Sequence, residues 1–423
     1  MTPNQTNPSH LTLQSCIELD QSDPLRAIRD RFDLPHSGAL HFDANSIGAM
    51  PKDAPERVRV LMEQGWRELS RRGWAELDWL DKPRTMAEGL AHIVGADKDD
   101  VVVCDNTTIN LYKILSYAWR NRTSGNTILT ESHNFPTDIF VAEGLQDFLG
   151  SAGQDVKLDL ADSPEDVIAR LGEDTAVLYL THTDYRYSRK WDMAALTKAA
   201  HDVGALVIWD LSHSAGAVEV DLKGCDVDFA VACGYKYLCG GPGSPALIYM
   251  HPRHRTASWP TICGWFGQAD FMAFKHRYDP APSVHGQNTG TPSVIANEIF
   301  SCASDIWRDV KVVDMVAKHK SLSQTVIALL DQECGDLGVE VISPRNYDEQ
   351  GGHVAFSHHG AGAISEALFD RGMICSFRKP DSLRLGLSPL YHSHEKLWHG
   401  VALLKEIIQT EAWRDPRFAK VAI

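Results

Sequence analysis

From residue 101 onwards, short apolar runs alternate with amphipathic stretches. The runs at 101–104, 127–130, 176–181, 205–209, 229–233 and 246–250 are rich in aliphatic residues. Short unbroken apolar runs read as strands buried on both faces. Between them, residues 111–119 and 193–203 have helical periodicity. Asp192 caps the second of these helices, and Gly204 stops it. Another helix is predicted from Ile139. Strands separated by helices predict an α/β fold, with a mostly parallel sheet covered on both faces. Ligands of such sheets gather beyond the carboxyl ends of the strands. Polar clusters follow Cys104, Thr130, Leu180, Trp209 and Cys233, all on that edge.

The flanking regions read differently. Residues 1–21 are polar and predict a loose arm. Residues 23–32 predict a short helix, with Asp23 as N-cap and Pro24 at its first position. A short strand and turn are expected at 40–48, a helix at 51–69, and a helix at 84–94 closed by Gly95. Residues 71–79 are aromatic and charged, a candidate substrate-covering loop. Beyond the sheet, helices are expected at 295–307 and 312–332. A smaller α+β unit follows, with strands at 339–342, 353–356 and 383–387 and helices at 364–371 and 394–412. The expected division is an N-terminal arm and part of the small domain at 1–70, a large cofactor-binding domain at 71–294, and a C-terminal small domain at 295–423.

Two strand ends carry the chemistry. The run 205–209 ends in Asp210, with His213 three residues on. The run 229–233 leads to Tyr235 and Lys236, then Gly240-Gly241-Pro242-Gly243. A lysine at the end of a buried strand, beside glycines, suits a Schiff base with the aldehyde of pyridoxal phosphate. A carboxylate at the pyridine nitrogen keeps that ring electron-accepting. Asp210 is the first candidate for that place and Asp138 the second. Asn106-Thr107-Thr108 before a helix offers backbone N–H groups and hydroxyls to a phosphate. Phe135 is a candidate to stack on the ring. Arg384 lies inside an apolar strand, where arginine needs a partner; a substrate carboxylate or an internal salt bridge would serve.

Composition narrows the classes. The chain has 423 residues, 43% hydrophobic and 23% charged, enough for a large and a small domain. A net charge of −15 argues against nucleic acid or an anionic membrane as partner. No apolar run is long enough to span a bilayer, and the N-terminus lacks a secretory pattern. Nine scattered cysteines without a CxxC pair read as reduced thiols of a cytoplasmic protein. His358-His359 and His392 with His394 lack a matching ligand pattern, so no metal is expected.

Several motifs occur together and in order: Asp43-Ala44-Asn45-Ser46-Ile47-Gly48, Asn134-Phe135-Pro136-Thr137-Asp138, Asp210-Leu211-Ser212-His213, Gly234-Tyr235-Lys236-Tyr237, Gly264-Trp265-Phe266-Gly267, and Arg378-Lys379-Pro380-Asp381 with Arg384 and Pro389-Leu390-Tyr391. As a set they resemble the kynureninase family. The resemblance implies a pyridoxal-phosphate enzyme of fold type I, a homodimer with active sites shared between subunits, hydrolysing kynurenine to anthranilate and alanine. It implies that Lys236 is the Schiff-base lysine and Asp210 the pyridine partner, with His213 beside it. Thr107, Thr108, Thr181 and Tyr235 would line the cofactor, and Phe135 would stack on it. Trp265 and Thr291 would reach the phosphate from the partner subunit, and Arg384 would hold the substrate carboxylate. Tyr235 is also a candidate for proton transfer. The chain departs from the family at Ala44, where glycine is usual, at Tyr187-Ser188, where Thr-Gly is usual, and at residues 288–291. A relative acting on another γ-oxo amino acid, a cysteine desulfurase or class V aminotransferase, and a non-catalytic regulator remain the alternatives.

Overall fold

The computed structural model describes residues 10–35, 38–256 and 258–419. Its centre is a seven-stranded sheet. In spatial order the strands are Val101–Cys104, Ala246–Met250, Phe229–Ala232, Leu206–Asp210, Thr175–Thr181, Thr127–Glu131 and Lys157–Ala161. Ala246–Met250 runs antiparallel to both neighbours; the other pairings are parallel. Period-two alternation sends side chains to two apolar layers. Leu178, Leu180, Val207 and Trp209 face one layer, with Val101 and Val103. Val177, Tyr179, Ile208 and Val102 face the other. The six expected strands are all present. Lys157–Ala161 was not expected: it is an edge strand with exposed positions, so its apolar pattern is thin.

A second apolar core gathers around a four-stranded antiparallel sheet. Its order is Glu340–Val341, His353–Ser357, Ser382–Gly386 and Ser376–Arg378. The 23-residue helix Val312–Cys334 serves both cores. Met315 packs into the first, and Leu322, Val326 and Leu330 into the second. At 1.5 Å per residue it is about 35 Å long, enough to bridge them. Phe300, Ala303 and Trp307 of the helix Val294–Trp307 also belong to the first core.

The expected loose arm needs correction within its described part. Leu13–Gln21 is a helix, capped by Thr12 with a reciprocal bond from Ser15. Cys16 is fully buried in the second core. Asp20 accepts the backbone N–H groups of His394 and Glu395, at 2.8 and 2.9 Å, so the arm caps the helix His394–Gln409. Docking holds a segment whose own periodicity is weak. Residues 1–9 lie outside the described residues. The helix expected at 23–32 shrinks to Arg26–Arg29. The helix expected at 51–69 is α-helical over Ala54–Val60 and π-helical over Leu61–Leu69.

Candidate active site

The strand ends deliver the polar clusters to one cavity. It is lined by Thr107, Thr108, Phe135, Asp138, Thr181, Asp210, His213, Tyr235 and Lys236, with Tyr185, Ser212 and Cys233. Lys236 Nζ lies 2.9 Å from His213 Nε2. Burial and the Lys236 charge push the His213 pKa well below the usual imidazole range. His213 is therefore neutral and accepts from the ammonium through Nε2. That assigns the ring proton to Nδ1, which is buried without a protein partner. The Lys236 ammonium also sits 5.7 Å from the centre of the Phe135 ring. Tyr235 is pushed up to about 12, chiefly by burial, so its phenol keeps its proton at neutral pH.

Behind Asp210 lies a set of buried acids. Asp210 Oδ1 accepts the Ser212 N–H at 2.6 Å. Asp138 hydrogen-bonds Asp210, and the Tyr179 hydroxyl donates to Asp138 at 2.5 Å. Burial, then the Asp210 charge, raises the Asp138 pKa well above the carboxylate range. Asp138 therefore favours its protonated form and can share a hydrogen bond with the Asp210 carboxyl. Glu131 accepts the Thr181 N–H at 3.1 Å, and the Thr181 hydroxyl donates to Asn134 at 2.5 Å. The helix Thr107–Asn121 begins beside these groups. Asn106 accepts the Ile109 N–H at 3.0 Å, and the earlier N–H groups have no acceptor within the helix.

Burial pushes the Glu131 carboxyl from its usual 4.5 up to about 8. A folded value above the unfolded one makes the native state bind the extra proton between those limits. Stability therefore declines as pH rises through that window. Asp138 and Asp184, also raised by burial, act in the same direction. Glu131→Gln keeps the acceptor for Thr181 and removes this titration. Melting curves of the cofactor-free protein, from about pH 5 to about pH 8, should fall less steeply for the variant. Equal slopes would show that Glu131 is already ionised in the folded chain.

Arg384 is fully buried on the strand Ser382–Gly386. Its Nε donates to Ser376 Oγ at 3.1 Å, and Nη1 donates to the Tyr185 carbonyl. With its amide turned, Asn45 accepts from Nε and Nη2 at 3.3 Å. Among the described residues no carboxylate lies within ion-pair distance of it. Burial, then the neighbouring Arg378, lowers its pKa to about 9. The internal salt bridge considered from the sequence is therefore not formed.

Arg384 does not line the Lys236 cavity itself, and two further expected residues lie elsewhere in this chain. Thr291 lines a different cleft, with Asp105, Asn106 and Thr289. The Trp265 ring packs against Phe266 at 5.7 Å and Phe271 at 5.5 Å. Neither lines the Lys236 cavity. Residues 71–79 are not an open loop at this cavity. They include the helical turn Gly73–Glu76, and Trp74 packs edge-on to Trp79 at 5.3 Å. Three of the histidines weighed as metal ligands have hydrogen-bond partners within the fold: His392 the His41 carbonyl, His394 the Asp20 carboxyl, and His358 the Gly360 N–H.

The sequence reading missed Glu131, Asn134, Tyr179 and Tyr185. Glu131 had a usable signal, an acid closing an apolar strand as Asp210 does. Two of the departures from the family pattern are accommodated by the surrounding structure. Ala44 is buried and has no left-handed backbone. Ser188 is left-handed, at φ 61°. Three bonds hold it: its N–H donates to Asp184 at 3.1 Å, its carbonyl accepts from Gly351 at 2.7 Å, and its hydroxyl accepts the His353 N–H at 3.2 Å.

Comparison with known proteins decides the family. Residues 315–404 match the model of the kynureninase C-terminal domain. A kynureninase of Pseudomonas fluorescens is 37% identical over 411 residues, covering 96% of this chain and 98% of that protein. One from Burkholderia mallei (strain SAVP1) is 35% identical over 412 residues, covering 96% and 98%. The chain belongs to the kynureninase family. Among solved structures, a cysteine desulfurase from Thermococcus onnurineus NA1 superposes with TM-score 0.74 at 18% identity, covering 91% of this chain and 98% of that one. The desulfurase CsdA of Escherichia coli gives 0.73 at 17% identity, covering 91% and 98%. At such identities the likeness is one of fold, and the fold is that of the pyridoxal-phosphate enzymes of fold type I.

Proposed function

We propose that this protein hydrolyses L-kynurenine, or its 3-hydroxy derivative, to anthranilate, or 3-hydroxyanthranilate, and L-alanine, with pyridoxal phosphate as cofactor. The observation that carries the reading is the single cavity joining Lys236, Asp210 and Phe135 in a chain of this family. Its groups suit the cofactor. Lys236 offers an amine, and Asp210 a carboxyl hydrogen-bonded by Asp138. Phe135 is 41% exposed, an apolar face for a ring to cover. The first turn at Thr107 and Thr108 offers N–H and hydroxyl donors to a phosphate. The His213 N–H awaits an acceptor.

When bound, the cofactor would supply an electron sink for Cα, which would permit Cβ–Cγ cleavage after water adds to the γ-carbonyl. The chain's residues do the rest. Lys236 holds the cofactor aldehyde at rest and moves the proton at Cα. Asp210 holds the proton on the pyridine nitrogen. Arg384 binds the α-carboxylate through its guanidinium fork. Tyr235, protonated at neutral pH, donates a proton at Cβ or the carbonyl. Thr181 and His213 fix the cofactor's edge. A cysteine desulfurase activity draws support only from structures too distant in sequence to carry it. The test is incubation with L-kynurenine and 3-hydroxy-L-kynurenine, following aromatic acid and alanine. Equal release of both supports the reading; substrate binding without release would sink it.

We infer further that the active unit is a homodimer in the cytoplasm, with Trp265 and Thr291 completing the partner subunit's phosphate site. That neither lines the Lys236 cavity of its own chain supports this. The nine cysteines are unpaired, and among the described residues no helix is long and apolar enough to cross a membrane. Refolding Lys236→Ala together with a Trp265→Ala/Thr291→Ala variant should restore about a quarter of wild-type activity, because half the dimers carry one intact site of two. An inactive mixture would place both residues outside the shared site.

A further inference from the structure

A second cleft adjoins the Lys236 cavity. Three aromatic rings, Phe135, Tyr185 and Phe377, line it with three cations, Arg186, Arg378 and Lys379. Phe135 and Tyr185 line both spaces, so the two are adjacent. Their rings meet edge to face at 5.3 Å and form the shared wall. Arg186 and Arg378 are half-buried, and Lys379 is exposed. Among the described residues none of the three has a carboxylate within ion-pair distance. Arg378 Nη1 donates to the Phe377 carbonyl at 2.7 Å. The Arg378 charge acts on Arg384, His213 and His353, which places it beside the substrate site. Three unpaired cations around an apolar slot run against a net charge of −15. The motif Arg378-Lys379 also has no place in the reaction described above.

We propose that this cleft receives the aromatic carboxylate product. The inference rests on the kynurenine reading for the identity of that acid. In the substrate the ring carries a neutral ketone. Water adds at the carbonyl carbon, and the Cβ–Cγ bond breaks with its electron pair kept by Cβ. Cβ takes one proton and becomes the methyl group of alanine. The carbonyl carbon leaves as a carboxylate, and the second proton of water is released. A negative charge therefore appears on the arene only after cleavage. A slot with aromatic walls and guanidinium donors favours that anion over the ketone. It draws the acid away from the reacting centre while alanine is still held at Arg384.

The probes are benzoate and benzamide, of the same shape with and without the charge. The cofactor-loaded enzyme is titrated calorimetrically with each, with and without saturating L-alanine. Benzoate should bind, with benzamide at least about tenfold weaker. L-alanine should leave benzoate affinity within about twofold, since the two occupy separate places. Arg378→Gln should weaken benzoate about tenfold or more and leave L-alanine affinity unchanged. Lys379→Gln, at an exposed position, should show a smaller loss and covers the case of a misfolded Arg378 variant. Equal binding of the two probes, competitive displacement of benzoate by L-alanine, or variants that bind benzoate normally would each overturn the proposal. Benzoate binding without anthranilate release would overturn the assigned reaction and leave an arene-carboxylate site. Anthranilate release without benzoate binding would overturn the cleft alone.

Discussion

Replacing Lys236 by alanine should lower kynurenine turnover by at least about 10⁴-fold, because the proposed covalent anchor and proton carrier at Cα are lost together. The second readout is spectral. Cofactor added to the variant should lack the visible band of a lysine Schiff base and should leave on dialysis more readily than from the wild type. The environment of Lys236 sharpens the expectation. The neutral His213 is its hydrogen-bond partner, at 2.9 Å, and Phe135 is its aromatic neighbour. Neither can replace an amine as nucleophile. A variant with an unchanged spectrum and undiminished turnover would remove Lys236 from the mechanism.

Arg384→Gln should act in two directions at once. Activity on kynurenine should fall by about 10²- to 10³-fold in kcat/KM, mostly through KM, because the proposed bidentate partner of the α-carboxylate is lost in a buried setting. Arg384→Lys should not restore it, since a point charge cannot match the planar fork. Stability should move the other way. A buried guanidinium with hydroxyl, amide and carbonyl partners but no carboxylate is a desolvated charge. The cofactor-free Gln variant should therefore melt higher than the wild type. A variant that loses activity and melts lower would recast Arg384 as a structural residue. A variant with unaltered KM would exclude it from carboxylate binding.

Much of the architecture was legible because buried strands are written as uninterrupted apolar runs. Val101–Cys104 and Ala246–Met250 were found to the residue. Lys157–Ala161 escaped because an edge strand need not be apolar on both faces. Leu13–Gln21 escaped because its helix depends on docking through Cys16 and Asp20, which a local pattern does not encode. The site shows the same divide. Lys236 and Asp210 stand out as charges closing apolar strands. Tyr179 and Asn134 matter through contacts made across strands, and in the sequence they resemble ordinary core and turn residues. The shift that favours the protonated form of Asp138 depends on burial and on the approach of Asp210, so the two aspartates become distinguishable only in three dimensions.

Ser188 bears on how relatives of this chain should be compared. A left-handed serine costs about 1–2 kcal/mol relative to a right-handed conformation, which glycine largely avoids. The hydroxyl that comes with it satisfies the His353 N–H on the smaller sheet, a bond glycine cannot make. Torsional strain and polar satisfaction roughly offset each other. Exchange between glycine and serine here is close to neutral drift, open in both directions. A missing glycine at this position is therefore poor ground for judging a lineage to have lost its catalyst.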